Sequence, residues 1–247
     1  GMHGDAPHLV LGALDHADCV LTTEWAVRLA EALQTVAIVL TDQNLAQSRA
    51  VIRKPAYRLP EIPERLVAGE EEEYRRYEVT IDGVSPMAIP GTPGSAYVAD
   101  GLEHSETGRP STAASDHAAQ MDKRLRKIED FDYGDHWADI RGEGSAAILT
   151  WGSTAAAVRE AVGRLADAGI EVKVIATRLL MPASPEKMVA ALEGVERVLV
   201  VEQSHGEQFH RYLRAYYDID AEVKVLARPG PLLITAGEIV EQFEEWS

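Results

Sequence analysis

Cysteine is nearly absent: the chain carries one, Cys19. A single thiol closes no intrachain disulfide and cannot hold an iron–sulfur cluster, which commonly takes about four thiolates. Disulfide scaffolds and cluster carriers are therefore excluded. Cys19 follows an expected strand and precedes an expected helix. It is read either as a packed, inert thiol or as one whose pKa a helix N-terminus lowers. Positive charge is scarce as well, with 24 Lys and Arg against 40 Asp and Glu and a formal net charge of −16. Nucleic acid and anionic membrane surfaces would repel such a chain, so neither is an expected partner. Long apolar runs are missing too. The first, Leu9 to Leu14, is closed by Asp15 and His16, and none approaches the ~20 residues that span a bilayer. No signal peptide is visible, and the expected location is the cytoplasm.

What is present suffices for a core. Apolar residues make up 46% of 247, enough for one large domain or two small ones. Residues 8–45 read as a β-α-β unit. His8 to Leu14 is a short apolar strand. Thr22 or Thr23 caps a helix running to Gln34, with Ala26, Leu29, Ala30 and Leu33 on one face. Val36 to Leu40 is a continuous apolar run, the mark of a strand buried on both faces. Two parallel strands and one helix do not make a stable domain alone.

Residues 46–84 read as a connecting segment in which Pro55, Pro60 and Pro63 mark extended chain. Glu70 to Glu73, followed by Arg75 and Arg76, reads as a solvated charge run. Tyr77 to Ile81 reads as a short strand ending at the turn pair Asp82-Gly83. Residues 116–130 read as a helix with Met121, Leu125 and Ile128 on one face. Lys123, Arg124, Arg126 and Lys127 lie on its other faces. They are read either as a salt-bridged surface beside 70–73 or as a site for an anionic group.

Residues 145–247 alternate apolar runs with helical patterns. Strands are expected at Ala146–Thr150, Val172–Ala176, Val198–Val201 and Val223–Leu226. A helix over Thr154–Ala168 carries Val158, Ala161, Val162 and Leu165 on one face and stops at Gly169. Ser184 as N-cap and Pro185 at the first position open a second. Glu207–Tyr216 and Thr235–Trp246 are further helices, the last with Ile239, Val240 and Phe243 apolar. This alternation implies a parallel sheet with right-handed crossovers.

Three groups of residues invite chemistry. Gly152, Ser153 and Thr154, after Trp151, sit where a strand meets a helix; such a turn either caps the helix or binds an anion. It lacks the glycine fingerprint of dinucleotide sites and the lysine of a P-loop. Glu202-Gln203-Ser204-His205 also lies at a strand's carboxyl end, either as an acid–base pair or as polar packing and interface contacts. His104, Asp116, His117 and His136 match no zinc spacing, and no metal site is expected.

The densest feature is irregular. Ser85-Pro-Met-Ala-Ile-Pro-Gly-Thr-Pro-Gly-Ser-Ala-Tyr-Val-Ala-Asp-Gly-Leu-Glu-His104 and on to Ser111 is too rich in Pro and Gly for helix or strand. Loops this long are uncommon unless functional or disordered. The run resembles the SPRAIPG…GLEH…G.P loop of the alpha subunits of 2-oxoacid:ferredoxin oxidoreductases, close to the 2-oxoglutarate type. Asp116 to Lys127 resembles the helix that follows it in that family. Leu149 to Ala155 is similar to the family's GWGST turn, and Leu199 to Gln208 to its VVEQN.SGQ segment. Gly4 to Leu14 and Val36 to Leu45 resemble the end of its thiamine-pyrimidine domain.

The resemblance implies an α/β chain. Residues 1–54 would close a partial pyrimidine-type thiamine domain, a βαβ remnant. Residues 55–144 would form a linker carrying the loop at 85–115. Residues 145–247 would form a parallel α/β domain like a transketolase C-terminal domain. It implies a role in thiamine-diphosphate-dependent oxidative decarboxylation of a 2-oxoacid, with coenzyme A and ferredoxin. Magnesium, the diphosphate and an iron–sulfur cluster would sit mainly on a partner beta subunit, where an acidic ferredoxin would also dock. Pro90, Gly91, Thr92, Glu103, His104 and Arg109 would face an interface or the substrate, with Arg109 set to meet a carboxylate. A YPITPS-like segment and the glutamate for the aminopyrimidine are missing, and Gly1-Met2-His3 looks like a tag remnant before a start codon. The expectation is therefore a C-terminal part of a subunit, inactive alone. The rival expectation is a free-standing flavodoxin-like domain for interaction or small-ligand binding.

Overall fold

The computed structural model describes residues 5–54, 59, 61–69 and 73–246. Gly1-Met2-His3, Pro55, Pro60 and Glu70 to Glu72 lie outside the described residues. In chain order the elements are β1 (Leu9–Gly12), α1 (Asp18–Leu33), β2 (Ala37–Leu40), α2 (Gln43–Gln47), α3 (Ala114–Glu129), a 3-10 turn (Gly134–Trp137), β3 (Ala138–Arg141), β4 (Ala146–Trp151), α4 (Thr154–Asp167), β5 (Lys173–Thr177), β6 (Leu179–Met181), α5 (Pro185–Ala191), β7 (Arg197–Glu202), α6 (Gln208–Tyr216), β8 (Glu222–Ala227) and α7 (Ala236–Glu244). They fall into two compact units. Residues 1–9, 25–38 and 59–132 make the first, and 10–24, 39–58 and 133–247 the second.

The second unit is built on a five-stranded sheet of order β3-β5-β4-β7-β8. β5, β4, β7 and β8 run parallel. The expected all-parallel sheet is corrected at one edge, where β3 pairs antiparallel with β5 from Ala138–Thr177 to Arg141–Val174. Only Ala138 of β3 is fully buried, so this polar edge strand leaves no apolar run to read. Ile148, Val158, Ala161, Leu199 and Ile239 are fully buried in the core cluster beneath the sheet. Gly169, at φ +81°, ends α4 as a left-handed residue that glycine adopts without cost. β1 pairs antiparallel with β6, in a second sheet of order β2-β1-β6.

Several local expectations are corrected here. α1 begins at Asp18, not after Thr22 or Thr23, because Asp15 Oδ1 accepts the Asp18 amide at 2.8 Å. Thr22 instead donates to Asp18 Oδ2 at 3.0 Å. β2 is half-buried at every position rather than buried on both faces, since it lies at the edge of its sheet. Ser184 stands at the N-cap of α5 but makes no side-chain capping bond.

In the first unit the faces of α3 differ from expectation. Lys123 is 5% exposed and Leu125 43% exposed. The reason lies in the segment before the loop, which is not a strand at Tyr77–Ile81. Lys123 Nζ donates to Tyr77 O, Glu78 O and Ser85 Oγ at 3.0, 3.2 and 2.9 Å. Arg126 takes Thr80 O and Ile81 O at 2.8 and 2.9 Å, and Lys127 takes Gln34 O at 3.0 Å. The segment's carbonyls are thus satisfied by the helix's cations instead of by a neighbouring strand. Three cations of the basic cluster are thus backbone-carbonyl donors, and the fourth, Arg124, pairs with Glu103 at 2.7 Å.

Candidate functional site

A cleft of about 700 Å³ opens in the second unit at the carboxyl ends of β4 and β7. From β4 the chain steps to β5 on one side, then returns past β4 to β7 and β8. The cleft lies at this reversal, where ligands of open α/β sheets bind. Trp151, Gly152, Ser153 and Thr154 form one wall, with Glu202, Gln203 and Ser204 beside them. The two sequence-predicted strand ends are therefore brought together. Sequence reasoning missed the opposite walls, from Thr41 to Ser48 and from Gly230 to Leu233.

Each polar group has a definite state. Thr154 Oγ1 donates to Trp151 O at 2.6 Å and lies 2.7 Å from Thr150 Oγ1, so its hydroxyl is committed. Ser153 is the N-cap of α4, is 8% exposed and makes no side-chain capping bond. Gly152 adopts φ +66°, and a Cβ there would meet nothing within 4 Å. Glu202 is buried but not poised as an acid or base. Its Oε2 accepts Ser204 Oγ and the Phe209 amide at 2.6 and 2.9 Å, and its Oε1 accepts the His210 amide at 2.9 Å. The carboxylate caps α6, which favours the packing reading. Gln203 Nε2 donates to Arg228 O and Leu232 O at 3.0 and 2.9 Å, fixing the far wall. A Cβ at Gly12 would stand 2.9 Å from Trp151 Cε3, so glycine is what admits the indole against β1.

The loop of the first unit is internally braced. Glu103 accepts Arg124 Nη1 and Nη2 at 3.0 and 2.7 Å and lies 2.8 Å from His117 Nδ1. Burial alone would raise the Glu103 pKa, but these bonds and the His104 amide overcome it and hold the carboxyl at about 2. His104 is 3% exposed and stacks on Tyr77 at 4.5 Å. Its Nε2 is 3.3 Å from Asp100 Oδ1 but out of hydrogen-bond alignment. Pro90, Gly91 and Arg109 are exposed, and Thr92 Oγ1 donates back to Ile89 O at 2.8 Å. Glu103 and His104 thus face inward while Pro90, Gly91 and Arg109 face outward.

Comparison with known proteins matches both halves. The family profile "Pyruvate flavodoxin/ferredoxin oxidoreductase, thiamine diP-bdg" covers residues 2–123. "Transketolase, C-terminal domain" covers residues 135–241. The alpha subunit of 2-oxoacid:ferredoxin oxidoreductase 2 from Aeropyrum pernix is 35% identical over 238 residues, covering 92% of this chain and 37% of that protein. The 2-oxoglutarate oxidoreductase subunit KorA of Mycobacterium tuberculosis is 30% identical over 231 residues, covering 90% of this chain and 34% of that protein. A solved 2-oxoglutarate:ferredoxin oxidoreductase from Magnetococcus marinus, with 2-oxoglutarate, coenzyme A and succinyl-CoA bound, superposes with a TM-score of 0.87 at 35% identity, covering 98% of this chain and 43% of that one. The chain is a homologue of 2-oxoacid:ferredoxin oxidoreductase alpha subunits. Its order of a thiamine-binding-type stretch followed by a transketolase C-terminal-type domain is the order the sequence implies. It spans about a third of the length of the curated relatives quoted.

The described residues of this alpha-subunit homologue offer no magnesium–diphosphate cradle. Among the described residues, no group of three or more His, Cys, Asp or Glu could hold a metal ion. The carboxylates after β1 are committed: Asp15 pairs with Arg159, and Asp18 pairs with Arg178 at 2.8 Å. Cys19 lies in the first turn of α1, yet its pKa is raised, by burial first and then by Asp18, Asp15 and Asp42. The activated-thiol reading is thereby corrected. No helix of the described residues is long and apolar enough to cross a membrane.

Proposed function

We propose that the chain forms part of the alpha subunit of a thiamine-diphosphate-dependent 2-oxoacid:ferredoxin oxidoreductase acting on 2-oxoglutarate in the cytoplasm. The reaction is oxidative decarboxylation with coenzyme A to an acyl-CoA, carbon dioxide and reduced ferredoxin. The observation that carries the reading is the superposition on the Magnetococcus enzyme over 98% of the chain. Thiamine diphosphate supplies the carbon nucleophile when bound. Its magnesium and the iron–sulfur cluster belong to the beta subunit in this reading.

The chain's own share is structural and positional. Residues 1–54 close the pyrimidine-type domain, 55–144 carry the loop, and 145–247 form the second domain. The Glu103–Arg124 pair and the His104–Tyr77 stack brace the loop. Pro90, Gly91, Thr92 and Arg109 then meet the beta subunit or the substrate carboxylate, for which a guanidinium is suited.

The test is to assemble the complete alpha subunit containing this chain with its beta subunit and to follow viologen reduction. Turnover requiring 2-oxoglutarate, coenzyme A and thiamine diphosphate is expected, and Arg109→Ala should raise KM or weaken assembly. A stable complex that turns over pyruvate but not 2-oxoglutarate would sink the substrate assignment. Failure of the two chains to associate would sink the subunit assignment.

A further inference from the structure

We infer that the cleft of the second unit is a binding site for a small monocarboxylic acid with a flat, apolar body. The carboxylate sits on the turn Gly152–Thr154. The inference stands on this cleft and does not need the oxidoreductase reading.

The size and place come first. About 700 Å³ is the volume of a small-molecule site, and the strand reversal is where such sites form. The donors come next. Ser153 is 8% exposed and lines the cleft, yet its hydroxyl has no hydrogen-bond partner among the described residues. The hydroxyl is open to the cleft and free to donate to an occupant there. α4 runs from Thr154 to Asp167. The amides of Ala155 and Ala156 close onto Gly152 O and Ser153 O at 3.1 and 3.3 Å. Those of Ser153 and Thr154 precede these bonds and are left for a ligand. With no Cβ, Gly152 leaves the approach open.

Charge selects one anionic group. Among the described residues no Lys or Arg lines the cleft, so a polyphosphate would lack the cations it normally meets. The two carboxylates that line it are occupied: Asp42 Oδ1 accepts the Leu45 amide at 2.9 Å, and Glu202 caps α6. A single carboxylate can take the Ser153 hydroxyl and the turn amides together. Leu40, Trp151, Phe209 and Pro231 supply apolar wall for the rest of the molecule.

The test is isothermal titration calorimetry of the 247-residue chain with indole-3-acetate, phenylacetate, indole-3-acetamide and inorganic phosphate. At least one of the two acids should bind saturably. The amide should bind about tenfold more weakly, the worth of a charge-assisted hydrogen bond. Phosphate should not bind. Ser153→Ala should weaken the acid by a similar factor. Ser153→Asp places a negative charge on the turn, so it should abolish binding in a chain that circular dichroism shows to be folded. Equal affinity for acid and amide, acid binding retained in a folded Ser153→Asp chain, binding of phosphate alone, or no saturable binding of either acid would each overturn the inference.

Discussion

Arg178 and Asp18, 160 positions apart, meet in a buried ion pair of three hydrogen bonds: Nη2 to Oδ1 at 2.8 Å, Nε to Oδ1 at 3.0 Å and Nε to Oδ2 at 3.2 Å. Both members make further bonds. Asp18 Oδ2 also accepts the Leu14 amide at 2.9 Å and Thr22 Oγ1 at 3.0 Å, and Arg178 Nη1 donates to His136 O at 2.5 Å. It locks the start of α1 to the turn leading into β6 within the second unit.

Removing one member strands the other. Arg178→Ala should lower unfolding stability by about 3–5 kcal/mol, the cost of an uncompensated buried charge. Urea titration reads this directly. A loss below about 1 kcal/mol, the range of an exposed pair, would show that solvent reaches the site.

The stability of the first unit should depend on alkaline pH. Burial, followed by the charges of Lys127, Arg76 and Arg124, lowers the Lys123 pKa from 10.5 to about 7. Between pH 7 and 10.5 the unfolded chain binds more protons at this position than the folded one, so stability rises with pH across that window. It is lost again as pH falls through the folded value. Lys127, lowered to about 8, adds a narrower slope of the same sign. Unfolding midpoints measured at pH 7 and pH 9.5 should rise in wild type and rise less in Lys123→Met.

Glu202 should matter to α6 rather than to turnover. Glu202→Ala leaves the Phe209 and His210 amides without their acceptor, at about 1–3 kcal/mol. Hydrogen exchange should show these two amides losing protection before the rest of the helix. Unchanged exchange at both would remove Glu202 as the cap.

Gly83 holds the approach of the loop segment to α3. It adopts φ +76°, and a Cβ there would lie 2.6 Å from Lys123 O and 2.9 Å from the Lys127 amide. Gly83→Ala should cost about 1–2 kcal/mol in backbone conformation alone, with the clash in addition. A thermal melt equal to wild type would mean that the segment moves away from the helix freely.

Much of the second unit is legible in the sequence because its central strands β4 and β7 carry the continuous apolar runs Ala146–Leu149 and Val198–Val201. β3 and β6 are not legible in this way. Ala138–Arg141 carries Asp139 and Arg141, and Leu179–Met181 follows β5 after one residue, Arg178. The first unit is less legible still. A Lys-rich helix face normally reads as solvent-facing, whereas here Lys123 and Arg126 donate to backbone carbonyls of a segment without strand partners, and Lys127 to Gln34 O. The turn Gly152–Thr154 and Glu202 are both readable as strand ends. Their neighbourhood is not, because only the sheet order β5-β4-β7 sets it. The walls at Asp42 to Ser48 and Gly230 to Leu233 come from segments with no periodic pattern of their own.

The contact between Gly12 and the Trp151 ring gives the cleft an intrinsic fluorophore. Trp25 and Trp137 are 0% and 3% exposed, so their emission is already that of a dry interior. Trp151 is half-buried and faces the cleft, with β1 fixing its ring at one edge. An occupant that is not itself an indole, such as phenylacetate, displaces water from that face and alters the polarity sensed by Trp151, so its occupancy becomes readable as a blue shift without a label.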